Sequence, residues 1–330
     1  MNRPMRLKTR LTEKLGIKHP ILLAPMHVMA GGRLAAAVSG AGGLGIIGGG
    51  YGDADWLEQQ FAAAGSARVG CGFITWSMAR DPKLLDQVLA KQPAALMLSF
   101  GELEPHASRI KARGVPLICQ VQGMRYLREA VDAGADIVVA EGCEAGGHSG
   151  YRGLFTLVPE AADYLAKHSP DTILVAAGGV GDGRGLAAAL LLGADGVLVG
   201  TRFVASKESE APEGFREAII RADGDSTMKS RSIDVVRKRY WPNPEFVVRA
   251  LKNRFVSQWH GREREMEQAI DVEHERFSSA FKAGDADNSG VLMGEVSGLI
   301  KDSPPAERII EDMVAQASQL LGSQSPYVVL

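Results

Sequence analysis

The sequence predicts an α/β fold, a TIM-type (β/α)8 barrel followed by a mostly helical C-terminal module. Three observations predict it. Eight short apolar runs are spaced through the first two hundred residues. Ala/Leu-rich, helix-favouring stretches separate them, and glycine-rich turns punctuate the junctions. At 330 residues the chain exceeds the ~250 of an ordinary barrel, which leaves room for one extra module and argues against two equal domains.

The candidate strands are Ile21–Ala24, Leu44–Ile47, Val69–Phe73, Ala95–Leu98, Leu117–Val121, Asp136–Ala140, Thr172–Ala176 and Gly196–Val199. They are apolar throughout, as parallel strands covered on both faces must be. Between them lie candidate helices at Gly31–Ser39, Asp55–Ala64, Pro82–Lys91, Pro105–Arg113, Arg125–Ala133, Pro159–Lys167 and Gly183–Leu192. One device occurs twice: in Ala133-Gly134-Ala135-Asp136 and Leu192-Gly193-Ala194-Asp195 a glycine stops a helix and a strand follows. A doubly wound open sheet is the competing arrangement. After Val199 the chain turns polar, and 207–239 and 249–281 read as helical. The expected organisation is a barrel over 1–209, a helical module over 210–290 and a C-terminal segment over 291–330. In that segment Ile309, Ile310, Met313, Ala317, Leu320 and Leu321 recur at helical spacing and would pack back on the barrel.

Composition narrows the function. The chain is 45% hydrophobic and 23% charged with a net charge of −2, and it has no dense Lys/Arg run to attract nucleic acid or an anionic membrane. No stretch approaches the ~20 apolar residues a membrane span needs. Arg3, Arg6, Lys8 and Arg10 are not followed by the apolar core of a secretory signal. Cys71, Cys119 and Cys143 are odd in number and widely spaced, which fits reduced thiols and neither a disulfide frame nor a metal site. A cytoplasmic protein acting on a small molecule is the expectation.

Barrel sites form where strands end and βα loops begin. Ala177-Gly178-Gly179-Val180-Gly181-Asp182-Gly183 and Val199-Gly200-Thr201-Arg202 follow the seventh and eighth strands. Loops at those two positions commonly hold a phosphate on backbone N–H groups, which points to Gly178, Gly179, Gly200 and Thr201; tight turns alone are the plainer alternative. After the sixth strand, the Gly/Ala-rich run Ala140–Gly150 carries His148 on what reads as flexible, uncovered backbone. Imidazole is the side chain best suited to proton transfer near neutral pH. Glu144 is either a second acid/base or a solvated loop charge, and Cys143 has no evident activating neighbour. Ala24, Pro25 and Met26, at the end of the first strand, can meet a flat heterocycle, and His27 is a candidate for the substrate pocket. Asp285–Gly290 imitates the start of a calcium loop, but the acidic residue falls at Glu295, one place early, and a chance turn is the better reading. No Gly-x-Gly-x-x-Gly run joins an early strand to a helix, so a nicotinamide fold has little support.

Taken together, Ala24-Pro25-Met26, Ser39-Gly40-Ala41-Gly42-Gly43-Leu44-Gly45, Glu144-Ala145-Gly146-Gly147-His148, Ala176-Ala177-Gly178-Gly179-Val180 and Leu198-Val199-Gly200-Thr201-Arg202-Phe203 resemble the nitronate monooxygenases, formerly called 2-nitropropane dioxygenases. The resemblance runs from about residue 15 to 320 and includes Gly298-Leu299-Ile300-Lys301-Asp302. It implies an FMN-dependent barrel that oxidises a small nitro compound, as its nitronate, with O2 to a carbonyl compound and nitrite; a homodimer stays open. By the same resemblance His148 is the catalytic base, Gly178, Gly179, Gly200 and Thr201 hold the FMN phosphate, and Ala24, Pro25, Met26, Gln120 and Gly147 lie against the cofactor. Many members carry an asparagine at the end of the third strand, and Gly72-Phe73-Ile74-Thr75-Trp76 has none, so Phe73 or Trp76 is expected to line the substrate pocket instead. The rivals are an NAD(P)H-dependent flavin reductase, such as the enoyl-acyl-carrier-protein reductases, and a flavin-binding protein without turnover.

Overall fold

Branched aliphatic runs too short for a helix become strands when both of their faces can be buried. In the computed structural model, which describes residues 7–104 and 106–322, these runs give β1 (Ile21–Leu23), β2 (Ile46–Gly50), β3 (Gly70–Ile74), β4 (Leu96–Ser99), β5 (Leu117–Val121) and β6 (Ile137–Glu141). They continue as β7 (Gly147–Ser149), β8 (Ile173–Ala177), β9 (Gly196–Val199), β10 (Thr227–Ser230) and β11 (Val247–Leu251). Arg3 and Arg6, Pro105 at the start of an expected helix, and the end of the expected C-terminal segment, 323–330, lie outside the described residues.

Eight strands pair in parallel in the order β1-β9-β8-β6-β5-β4-β3-β2. The ring closes between its ends: Leu22 bridges Leu44 in parallel, with Leu23 N–H donating to the Leu44 carbonyl at 2.9 Å and Leu44 N–H to that of Ile21 at 3.0 Å. A closed barrel replaces the open-sheet alternative. The second strand begins later than its apolar run suggests and continues through Gly48–Gly50. These glycines do not end the strand, because the backbone at Met26 packs directly on it: a Cβ on Gly48 would lie 2.5 Å from the Met26 carbonyl.

Strand alternation sorts the core into two layers. Leu22, Ile46, Met97, Ile118, Val139 and Val175 fill the barrel, which Leu11 and Leu15 of the helix Arg10–Leu15 close from below. Leu23, Ile47, Cys71, Phe73, Leu98 and Cys119 point outward, against the helices. The repeated Gly-Ala-Asp device proves to be a strand clamp. Gly134 and Gly193 take φ of 75° and 98°, and the following carboxylates accept strand N–H groups, Leu117 onto Asp136 at 2.9 Å and Leu174 onto Asp195 at 3.3 Å. Lys14 and Arg10 then pair with Asp136 and Asp195.

Beyond the barrel, residues 210–290 form helices Glu213–Arg221, Ser232–Val236, Arg254–Trp259, Glu263–Glu267 and Ile270–Ala283. The region also holds two strands where the sequence suggested helix. β10, β11 and β7 form an antiparallel sheet in the order β10-β11-β7. Val247–Leu251 is a strand because it alternates: Val248 and Ala250 are buried while Arg249 turns to the other face. The final helix, Ala306–Gly322, packs on Gly183–Leu191 and Gly32–Gly40, burying Ile309, Ile310, Met313 and Ala317 but leaving Leu320 exposed. Among the described residues no helix is long and apolar enough to cross a membrane.

Gly183 makes that docking possible: its N–H donates to Gln316 Oε1 at 2.7 Å, and an added Cβ would lie 2.5 Å from the Met313 carbonyl. Gly183→Ala should therefore lower the unfolding free energy by about 1–3 kcal/mol. Gly40→Ala, whose added methyl meets nothing within 4 Å, should stay within about 0.5 kcal/mol of the parent. Chemical denaturation of both variants checks the pair.

Candidate functional site

The C-terminal ends of the barrel strands surround one cavity. Ala24, Pro25, Met26, His27, Gln120, Gly147, His148, Gly178, Gly179, Gly200 and Thr201 all line it, although they come from five separate βα junctions. Phe73 does not. On β3 the period-two alternation turns Gly72 and Ile74 to the inside, so Ile74 takes the lining position and Phe73 is buried among the helices. Trp76 stands one layer back on the short helix Thr75–Met78, edge-on to Tyr51 and Trp241, which do line the cavity.

His148 is the largest departure from the sequence reading. It does not sit on a pliant, uncovered turn but in the middle of β7, opposite Val248 of β11, and it is only 8% exposed. Its Nε2 lies 2.8 Å from Asp234 Oδ2. One ring face stacks on Trp241, centroid to centroid 3.6 Å at 17°. Asp234 and Trp241 escaped the sequence reading because they arrive from far along the chain, in a region whose polar composition resembles any solvated helical surface. The aromatic and cationic crowding of Arg237–Trp241 was the signal available.

Gly178 and Gly179 adopt φ of 97° and 71°, and a Cβ at Gly178 would lie 3.0 Å from the Gly142 carbonyl. Among the described residues the main-chain N–H groups of Gly178, Gly179, Gly200 and Thr201 have no protein acceptor. Thr201 is buried, Gly178 and Gly200 are half-buried and Gly179 is exposed, and four free donors from the neighbouring loops after β8 and β9 make a ready anion cradle. Thr201 Oγ1 accepts from Gly294 N–H at 3.0 Å and keeps its own proton to donate.

Beside this cradle Glu141, buried at the end of β6 and paired with Ala177 of β8, accepts from Gln120 Nε2 at 2.8 Å and Gln122 Nε2 at 3.0 Å. Burial pushes its carboxyl up to about 8, against the smaller downward pull of those amides and Lys229, so it is largely protonated at neutral pH. The Gln120 amide is thus engaged by Glu141. Glu144 lines the cavity and is held in place by accepting Leu154 N–H at 3.0 and 3.2 Å, at the start of the helix Leu154–His168. Burial, then the Glu144 charge, raises the Cys143 thiol, which disfavours its thiolate form. His27 is held neutral, pushed down to about 4 by burial and by Arg237 and Arg239. Those two guanidiniums lie 5.6 and 4.6 Å over the Tyr51 ring, and neither has an ion-pair partner among the described residues. Val28 and Phe100, both lining the cavity, take φ of 56° and 60°, a strained backbone for such side chains that concentrates at this mouth.

A cavity lined by a buried imidazole and by orphaned amides after the seventh and eighth barrel strands narrows the family, and the comparison with known proteins decides it. The family model described as nitronate monooxygenase matches residues 8–69 and 74–316. The chain belongs to the nitronate monooxygenase family. It is 32% identical to a nitronate monooxygenase of Neurospora crassa, over 92% of this chain and 90% of that one. It is also 30% identical, over 98% of this chain and 100% of the relative, to an octahydro-indene-carboxyl-CoA dehydrogenase of Mycobacterium tuberculosis. The solved structure of FabK from Thermotoga maritima matches with a TM-score of 0.83 at 30% identity, over 96% of this chain and 98% of that one. As a nitronate monooxygenase family member the chain is an oxidoreductase.

Glu141 makes the stability of this family member pH-dependent. Its carboxyl holds a proton more tightly folded than unfolded, so its stabilising effect is complete below about 4.5, declines as pH rises and is lost above about 8. Glu141→Gln should flatten the stability profile across that window by roughly 1 kcal/mol per pH unit, measured by urea denaturation of the cofactor-free protein. Parallel profiles for parent and variant would refute the buried-acid assignment.

Proposed function

We propose that this family member binds FMN in the cavity and oxidises alkyl nitronates with O2 to a carbonyl compound and nitrite. Neutral nitroalkanes enter the same reaction after His148 removes the α-proton. The observation that carries the reading is that a buried, oriented imidazole and four unsatisfied backbone donors line one cavity.

The residues present fit the cofactor. Gly178, Gly179, Gly200 and Thr201 would hold its phosphate through N–H groups that no protein atom uses, with the Thr201 hydroxyl as a further donor. Ala24, Pro25, Met26 and Gly147 supply apolar wall and close backbone beside the remainder. When bound, FMN supplies the electron acceptor and the reaction with O2. The chain itself binds, orients and handles the proton. His148 takes a proton made acidic by the adjacent nitro group. Arg237, unpaired at the cavity wall, favours the anionic nitronate through its field. Trp241, Phe100 and Tyr51 narrow the mouth to small substrates and keep water away from the imidazole.

The M. tuberculosis relative favours a second reading, a flavin-dependent dehydrogenase or NAD(P)H-linked reductase on the same scaffold.

Purified protein should be yellow, release FMN on denaturation and yield nitrite from a nitronate in air. Anaerobic bleaching of the flavin by NADH, with no response to a nitronate, would transfer the assignment to the second reading. His148→Ala should keep its flavin while losing about 100-fold or more of kcat/KM on a neutral nitroalkane. Gly178→Ala should fold yet bind FMN at least about tenfold more weakly, since it strains a left-handed position and narrows the cradle. Flavin titration measures the loss, and unchanged affinity would remove the phosphate role.

A further inference from the structure

We propose that Asp234 is a positioning residue that makes Nδ1, and not Nε2, the proton-accepting atom of His148. The inference rests on the reading of His148 as base in nitroalkane oxidation, and it names the atom and the group that set its direction.

The geometry leaves one consistent arrangement. Asp234 Oδ2 lies 2.8 Å from Nε2, and both side chains are buried, 11% and 7% exposed. A carboxylate can only accept, so Nε2 carries the hydrogen and Nδ1 the in-plane lone pair. Nδ1 has no protein partner among the described residues, and it belongs to a side chain that lines the cavity. Stacking on Trp241 covers a ring face but leaves the ring plane open, where a lone pair accepts a proton. The stack and the carboxylate together hold the ring against rotation.

Asp234 itself is incompletely satisfied: Oδ1 is buried and without a hydrogen-bond partner. A buried carboxylate with a single donor is costly unless a positive charge forms beside it. Proton transfer supplies that charge. The Cα–H bond of the nitroalkane breaks, its proton joins Nδ1, and the electron pair moves into the nitro group to give the nitronate. The resulting imidazolium then pairs with Asp234 through Nε2–H.

Other charged groups surround the pair without touching the ring. Glu141 and Glu144 share the cavity wall from the barrel side. Lys229 of β10 is bound to the Ser149 and Gly150 carbonyls, Arg249 of β11 pairs with Glu295, and Arg237 lies over Tyr51. Phe100 meets the imidazole edge-on. Asp234 is the only acid within hydrogen-bond reach of His148 among the described residues.

Asp234→Asn tests the assignment in the FMN-loaded protein, since it preserves shape and removes charge. On a neutral nitroalkane, kcat/KM should fall about 10- to 1000-fold and the acid limb of its pH profile should move to lower pH. On a preformed nitronate, where no proton is removed, kcat/KM should change less than about threefold. Equal losses on both substrates, or an unmoved acid limb, would overturn the proposal. Nitrogen NMR of histidine-labelled protein supplies a readout without turnover. Wild-type His148, assigned by its absence in His148→Gln, should be the Nε2–H tautomer, and a resonance pattern of the Nδ1–H form would also overturn it. If the wild-type enzyme oxidises neither substrate while the tautomer is Nε2–H, the functional reading fails and the hydrogen-bonded pair stands.

Discussion

The antiparallel pairing of β7 with β11 is the constraint on which the site depends. A βα loop as rich in glycine as Gly142–Gly150 would sample many conformations if it ended at the barrel rim. Here its last residues join a second sheet, and Gly147, His148 and Ser149 face Arg249, Val248 and Val247 in register. His148 therefore inherits the rigidity of a strand while standing at the mouth of a barrel. The same pairing brings the helix Ser232–Val236 and the loop beyond it against the imidazole, so Asp234 meets its edge at Nε2 and Trp241 covers one face. Slipping the pairing by one residue would turn His148 to the opposite face of the sheet and separate all three.

The site's polar groups divide by whether their bonds are made within the protein. Glu144, Asp136, Asp182 and Asp195 are satisfied and structural, capping helices or clamping strands. The amides of Gly178, Gly179, Gly200 and Thr201, the second oxygen of Asp234 and the guanidinium of Arg237 are not. Unsatisfied groups are expensive inside a protein, so their concentration around one cavity is where function would be sought even without a relative to compare. Strained backbone at Val28 and Phe100 falls on the same cavity wall.

Much of the barrel was legible because parallel strands leave a strong signal: continuous apolar runs, glycine stops and regular spacing. Leu117–Val121 and Gly196–Val199 match the observed strands residue for residue, and the others shift by one to three positions. The errors share a physical origin. Gly48–Gly50 reads as a turn because glycine favours turns, yet it forms strand where another backbone packs against it. Phe73 reads as a pocket residue because it is large and near a strand end, but the parity of β3, invisible in so short a run, turns it outward. Val247–Leu251 reads as part of a helical module because its charged neighbours dominate any local window.

Local chemistry by itself determined the parts whose causes lie within a few residues: the eight strands, the helices between them, the glycines at the ends of strands seven and eight, and the single imidazole after strand six. Only the tertiary structure decided what those parts meet. The partner of His148, the atom left free to accept a proton, the protonated state of Glu141 and the structural duty of Glu144 all depend on contacts made by distant chain. Such contacts are set by strand register and burial, which are properties of the packed whole and leave no periodic mark in the sequence.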